Sequence, residues 1–410
     1  VVSAQDLGVW LYGALVATID RDRRGPRLTY TREALGSHAL GTPLLSLSLP
    51  VRAERFSQGS VRPFLDGLLP EGEARRVIAR DLMVDPDDTF GLIALLGRDC
   101  AGALVIQPLD DERPPGVTTT TAEPLSHSEL AALVGNLRSA PLGVGGRVRV
   151  SLAGVQEKLV LTRMVDGGWG RPVDGTPSTH ILKPEIAAYP HTVENEAFCM
   201  RIAKHLGLEV ANVDSTEVAG RKLIVVERFD RLVGSDGTVE RIHQEDFCQA
   251  TSMRPVDKYE EDGGPSLSRI AAIVASVADR GSLDRLFQSV LLNVLCGNGD
   301  AHAKNYSVFH GPDGGVRLSP LYDVMCTLAY DDDRLAMYVD DVRRTDRVTT
   351  ERLINEGVRW GMAHRRCREL AATMLDGAPA AIERALHETA DLPGSVLSTI
   401  ERQLARLQAS

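Results

Sequence analysis

The chain has 410 residues, is 43% hydrophobic and 25% charged, and carries a formal net charge of −10. That length predicts two or three domains whose cores need neither disulfide nor metal. No apolar run reaches the roughly 20 residues of a membrane span, and the acidic balance excludes nucleic-acid binding over the whole surface. Six cysteines (Cys100, Cys199, Cys248, Cys296, Cys326, Cys367) lie far apart with no CxxC pair. Reduced thiols in a cytoplasmic protein are expected from this, rather than a disulfide framework or a zinc site. The N-terminal VVSAQDLGVW has no basic region followed by an apolar stretch, so no signal peptide is expected.

Residues 7–55 alternate in short apolar runs (GVWLYGALVATI, RLTYT, LLSLSL), with RDRRG as a hairpin turn, and predict a small antiparallel sheet. PEGEARRVIARDLM and DTFGLIALLG take helical spacing, and ALVIQ at 103–107 returns to strand. LDDERPPGVTTTT reads as a linker and sets a boundary near 110–125. Ser126 or Ser128 is placed to cap the helix ELAALVGNLR. RVRVSLAGVQEKLVLTR alternates with period two and predicts a hairpin, and HILKP and KLIVVERF predict strands on either side of the helix HTVENEAFCMRIAKHLGL. From residue 243 the pattern is helical, except at 296–330, where YSVFH and GVRLSPLYDV predict a hairpin with a PDGG turn. The order is a small mixed subdomain (1–125), a β-rich lobe (126–235) and a mostly helical lobe (236–410). This is the α+β, bilobal layout of a protein-kinase-like fold.

CGNGDAHAKN, at 296–305, follows the apolar helix SLDRLFQSVLLNVL and crowds a carboxylate, an imidazole, an ammonium and a carboxamide into one loop. Protein kinases place a catalytic Asp five residues before a metal-binding Asn, the spacing of Asp300 and Asn305, and a second metal-binding Asp follows on a strand pair, where Asp323 falls. Two such arms suit Mg²⁺. D-x4-N alone is weak; the three residues together are much stronger. Lys183 in THILKP has the place of the strand lysine that contacts nucleotide phosphates, with Glu194 or Glu196 as its partner, against the plainer reading of a surface lysine and solvated glutamates. SLAGVQEK, at 151–158, has the place of the phosphate loop; with a single Gly, its backbone N–H groups form either an anion nest or an ordinary turn. Only six lysines stand against forty arginines, and Lys158, Lys183 and Lys304 fall in these motifs, where a compact charge matters. The clusters Arg343, Arg344, Arg347 and Arg365, Arg366, Arg368 are candidates for a local basic patch, against the plainer reading of solvated helix faces.

SLAGVQEK, ILKP, ENEAFC, VERFDR, HQEDFCQA, GNGDAHAKN and LSPLYDV, with LLPEG and LGRDCAGAL nearer the N-terminus, together resemble the HipA family of toxin kinases from bacterial type II toxin–antitoxin modules. The resemblance runs from near the start to at least residue 330. It implies a Ser/Thr protein kinase using ATP and Mg²⁺, with Asp300 as catalytic base and Asn305 and Asp323 on the metal. It further implies nucleotide contacts from Ala153, Gly154, Val155, Gln156, Glu157, Lys158, Lys183, Glu227, Arg228, Phe229, His302, Lys304 and Tyr322, and autophosphorylation at Ser151 that inactivates the enzyme. The implied partners are a HipB-like helix-turn-helix antitoxin, operator DNA only through that complex, and a protein substrate such as an aminoacyl-tRNA synthetase, with no membrane. A kinase for small hydroxyl compounds and a silent antitoxin-binding module are the alternatives the residues leave open.

Overall fold

The computed structural model describes residues 6–119, 122–144, 147–311 and 314–410. The chain divides into two compact units, one of residues 1–184, 217–256 and 309–314, the other of residues 185–216, 257–308 and 315–410. Residues 1–125 and most of 126–235 share the first unit. Among the described residues no helix is long and apolar enough to cross a membrane, and all six cysteines are buried thiols outside any disulfide.

The first unit is mixed α/β. Its N-terminal sheet runs in the order Gly25–Tyr30, Ala14–Asp22, Leu7–Leu11, Leu104–Pro108, all antiparallel neighbours. The expected turn joins Asp22 to Gly25, and a second hairpin, folded inside the GVWLYGALVATI run, turns at Tyr12–Gly13. The helices Gln58–Leu68, Gly72–Asp81 and Thr89–Leu96 bury Phe64, Leu65, Ile78, Phe90 and Ile93 in the core with that sheet. LLSLSL is not a strand. Leu47 N–H and the Ser46 hydroxyl turn onto the Glu245 carboxylate (2.7 and 2.5 Å), while Leu44, Leu45 and Leu49 all face the core, so period two is broken.

The second sheet has six strands, five of which lie in this unit in the order Arg221–Glu227, His180–Pro184, Leu159–Arg163, Trp169–Arg171, Glu123–Pro124. The hairpin expected over 147–163 is only half present. Leu159–Arg163 has both edges taken by His180–Pro184 and Trp169–Arg171, so residues 147–158 find no free edge. They run as a loop with single bridges at Val148 and Val150. The helix His127–Gly135 starts on Ser126 in a reciprocal capping box with Glu129.

Beneath these sheets lies a buried ionic network. Arg228 donates to Asp230 at 2.8 Å, Arg231 to Asp99 at 2.9 Å, and Arg241 lies 3.7 Å from Asp99. Ser178 and the Cys100 carbonyl satisfy the remaining guanidinium N–H groups of Arg228 (2.7 and 2.9 Å). Both carboxyls sit below the usual range. Burial opposes this for each, but the Arg231 and Arg228 charges beside Asp99, and the Arg228 and Arg231 charges beside Asp230, prevail.

The second unit is predominantly helical. It contains Thr192–His205, Leu267–Val277, Ser282–Cys296, Thr350–Arg359, His364–Glu388 and Gly394–Gln408. Strands Ser307–His310 and Val316–Leu318 flank a turn whose residues 312 and 313, half of the expected PDGG, lie outside the described residues. Ser319 N–H donates to Ser307 O at 2.9 Å beside them. Within the arginine clusters, Arg344 pairs with Asp333 and Asp346, Arg347 with Asp346, Arg366 with Asp284 and Arg365 with Glu369.

Candidate active site

The loop after Ser282–Cys296 shows why an apolar helix ends on two glycines. Gly297 adopts φ +68°, and its N–H reaches Val294 O at 3.1 Å while Asn298 N–H reaches Asn293 O at 2.8 Å, the left-handed turn that closes a helix. Gly299 lies against a second chain segment: a Cβ there would collide with Arg334 O. Its N–H donates to Thr327 Oγ1 at 2.8 Å, and its carbonyl accepts Ala336 N–H at 2.7 Å. Asn298 then aims the chain. Its side chain donates to Asn293 Oδ1 at 2.8 Å and accepts Asp300 N–H at 3.2 Å.

Asp300 is thereby delivered to the surface. Its Oδ1 accepts the Tyr259 hydroxyl at 2.8 Å. The carboxyl is open to solvent, yet the protein atoms crowded around it strip part of its hydration. That partial desolvation, aided by Asp323 and Asp332, raises it to about 6 against the pull of Tyr259 and Lys258. A carboxyl near neutrality that still reaches solvent can accept a proton from a hydroxyl. His302 is buried, and burial together with Lys258 holds its ring well below the ordinary imidazole value, so it is neutral at pH 7. Its ring meets Tyr259 edge-on, centroids 5.3 Å apart.

Asn305 and Asp323 meet as the spacing requires. Asn305 Nδ2 donates to Asp323 Oδ2 at 3.0 Å. Asn305 is 6% exposed, and its carbonyl Oδ1 is buried with no hydrogen-bond partner among the described residues. An orphaned amide oxygen beside a carboxylate fits a hard cation that completes its shell with water and phosphate oxygens, as Mg²⁺ does. Asp323 itself takes φ +61°, a left-handed backbone uncommon outside glycine. The segment is pinned three residues on, where Asn195 accepts Cys326 N–H at 2.8 Å and donates to Cys326 O at 3.1 Å. Tyr322 spends its hydroxyl internally, on Lys304 O and Ser307 Oγ, both at 2.6 Å. Lys304 is buried in the same loop, and Glu194 and Glu196 are buried on the helix Thr192–His205, so neither glutamate is a solvated helix charge.

In the first unit, residues 151–158 form a compact loop. Ser151 is 0% exposed; its hydroxyl donates to Leu68 O at 2.8 Å and its N–H to Asp99 O at 2.9 Å. Gly154, at φ +113°, gives its N–H to Glu71 Oε1 at 3.1 Å. LLPEG therefore holds this loop at both Ser151 and Gly154. Lys158 Nζ donates to Ala153 O at 2.6 Å, Gln156 reaches Pro184 O at 3.4 Å, Glu157 pairs with Arg138 at 2.9 Å, and Val155 is exposed. Lys183 lies on His180–Pro184, opposite Ile224. Glu227 ends the neighbouring strand. The Arg228 guanidinium is turned into the buried network, and its backbone is used internally as well, its N–H donating to Thr179 O at 2.9 Å and its carbonyl accepting Arg231 N–H at 3.2 Å. Phe229 packs edge-on against Phe309 at 5.6 Å.

Sequence reasoning missed Tyr259, Lys258, Asn195, Asn293, Asn298 and Thr327. Two signals were available: Lys258 is one of only six lysines, and Asn195 and Asn293 interrupt otherwise apolar helix faces.

Residues 7–107 match the HipA N-terminal domain and residues 150–382 the HipA-like C-terminal domain. Y4mE of Sinorhizobium fredii, a kinase by designation only, is 39% identical over 401 residues, 94% of this chain and 93% of that protein. The serine/threonine-protein kinase toxin HipA of Shewanella oneidensis is 35% identical over 314 residues, 72% of this chain and 70% of that one. A chain of the solved complex of Shewanella oneidensis HipA, HipB and operator DNA superposes with a TM-score of 0.83 at 29% identity, covering 98% of this chain and 96% of that one. The mixed α/β first unit and helical second unit are the α+β kinase-like class expected from the sequence, and the chain belongs to the HipA family.

Proposed function

We propose that this chain is the kinase toxin of a type II toxin–antitoxin pair, transferring the γ-phosphate of ATP to a serine or threonine hydroxyl of a protein and so arresting growth. Asp300 orients the acceptor hydroxyl and takes its proton as the new P–O bond forms, while ADP leaves with the electron pair of the bond that breaks. Asn305 Oδ1 and the Asp323 carboxylate would hold Mg²⁺, which when bound neutralises charge on the nucleotide phosphates. Lys183, Lys158 and the 153–158 loop bind phosphate oxygens. His302, neutral and buried, and Lys304 line the nucleotide, and the backbone of 227–229 meets the base. The partners are a helix-turn-helix antitoxin, operator DNA through that complex, and a protein substrate of the aminoacyl-tRNA synthetase class. Family membership supports the kinase reading, and so does the identity of the relative from Shewanella oneidensis.

The observation that carries the chemistry is the Asn305–Asp323 pair at 3.0 Å with its orphaned amide oxygen. The test is calorimetric titration of ATP with and without Mg²⁺ into wild type and Asp323→Ala. Wild type should bind ATP at least tenfold more tightly with the metal, and the variant should lose that gain (tenfold is about 1.4 kcal/mol). Equal, metal-dependent affinity in both proteins would place the metal elsewhere.

A further inference from the structure

We propose that Tyr259 is a positioning residue for phosphoryl transfer: its hydroxyl occupies one oxygen of Asp300 and leaves the other aimed at the incoming acceptor hydroxyl. The proposal rests on the reading of Asp300 as the base. The Tyr259 hydroxyl lies 2.8 Å from Asp300 Oδ1. A carboxylate with both oxygens open can rotate about its last torsion, which is broad and roughly two-fold. With a donor fixed on Oδ1, the Oδ2 lone pairs are presented in one direction. In the transfer step the acceptor proton goes to Oδ2, the acceptor oxygen bonds phosphorus, and ADP departs; the Tyr259 proton stays on its own oxygen throughout.

The alternative, that Tyr259 is a plug sitting in the acceptor's place, needs a segment that can leave. This one is tied down on every side. Tyr259 O accepts Gly264 N–H at 2.9 Å, and the two turns are packed so closely that a Cβ on Gly264 would meet Tyr259 O at 2.7 Å and the Lys258 carbonyl carbon at 2.9 Å. Glu260 accepts Tyr338 N–H at 2.7 Å, and Lys258 O accepts Ala303 N–H, inside the catalytic loop, at 3.3 Å. The Tyr259 ring stands edge-on to buried His302, at an interplanar angle of 82°. The hydroxyl is thus held by a platform built onto the same loop that carries Asp300. The groups facing the Asp300 carboxyl are Tyr259 and Lys258, which favour its ionised form, and Asp323 and Asp332, which oppose it. Removing the Tyr259 hydroxyl therefore raises the Asp300 carboxyl further.

Tyr259→Phe keeps the ring against His302 and deletes only the donor. Wild type, Tyr259→Phe and Asp300→Asn are compared for Mg²⁺-dependent transfer of ³²P from γ-labelled ATP into heat-inactivated, desalted bacterial lysate protein across pH 5 to 9, with ATP affinity measured by calorimetry. Tyr259→Phe should bind ATP within about twofold of wild type, lose roughly tenfold in kcat, and show the acid limb of its rate profile moved up by about half to one pH unit. A wild-type rate and limb, a faster rate, a slower rate with an unmoved limb, or ATP binding weakened beyond tenfold each overturns the positioning role. Asp300→Asn should transfer nothing. If it works at the wild-type rate, or wild type transfers nothing, the base assignment itself fails and the proposal with it; an inactive Asp300→Asn beside an unaltered Tyr259→Phe sinks the proposal alone.

Discussion

Asn195 illustrates what a single buried amide does in this site. It takes both the N–H and the C=O of Cys326, three residues after Asp323, at a sequence separation of 131. Removing it leaves two backbone groups unpaired in a buried setting, each costing about 1–3 kcal/mol. Asn195→Ala is therefore expected to lower the melting temperature by several degrees and to weaken Mg²⁺·ATP binding severalfold, because the left-handed turn at Asp323 loses its anchor. Thermal melts and calorimetry check both, and unchanged values in both would mean that the Cys326 contacts are incidental. Asp300, Asn305 and Asp323 were legible in the sequence because their relation is one of short spacing around a helix end and a strand pair. Tyr259 and Asn195 were not, because their partners lie 41 and 131 residues away and nothing local marks the pairing.

Among elements, the individually delimited helices formed, but the helical reading from residue 243 gave way to strands at His243–Asp246, Arg334–Val339 and Val342–Arg344, and the difference has a physical reason. A helix closes its own hydrogen bonds and announces its ends, as Ser126 with Glu129 does. A strand exists only if a neighbour offers an edge. Residues 147–152 have the composition of a strand but find both edges of Leu159–Arg163 taken, and the Ser151 N–H goes to Asp99 O; LLSLSL turns its polar groups onto Glu245 instead. The Asp99–Arg228–Asp230–Arg231 network could not be foreseen either, since nothing local in VERFDR or LGRDCAGAL marks these charges as buried partners. Breaking one such pair leaves an uncompensated buried charge, worth about 3–5 kcal/mol. Asp230→Ala should thus shift the urea midpoint strongly downward at pH 7. The sign with pH follows from the depressed carboxyls of Asp99 and Asp230. Their contribution is present above the unfolded carboxylate pKa of about 4 and is lost as pH falls below it towards their lower folded values. The difference in midpoint between wild type and Asp230→Ala should therefore shrink as pH drops from 4 to 2. A difference that stays constant over that range would show that the network adds no charge-dependent stability.

At the scale of the whole molecule, the three-part division expected from the sequence becomes two units, because residues 1–108 pack into the same unit as the strands at 159–184 and 221–227. LLPEG explains part of this: Leu68 and Glu71 hold the loop that contains Ser151 and Gly154. Ser151 is fully buried, and a phosphate there adds about −1.5 to −2 charge where no apolar setting can keep it. Arg147 is already paired with Asp174 and Glu123 in this arrangement. A phosphorylated loop would have to leave Leu68 and Glu71 and so lose the arrangement proposed to receive ATP. The expected outcome is that protein incubated with Mg²⁺·ATP acquires phosphate on Ser151 by mass spectrometry, loses ATP binding in proportion, and that Asp300→Asn acquires none. Ser151 unmodified in active protein, or modified equally in Asp300→Asn, would remove self-phosphorylation as the control.

The central claim is that the loop from Gly297 to Asn305 performs phosphoryl transfer with Asp300 as its base, and one paired measurement addresses it most directly. The rate of ³²P transfer from γ-labelled ATP to protein is measured for wild type and Asp300→Asn at saturating Mg²⁺, with ATP affinity determined on the same preparations. The account predicts ATP affinity within about twofold and a transfer rate reduced by at least about 10²-fold, the scale of a lost general base. Equal transfer rates at equal affinity would contradict it.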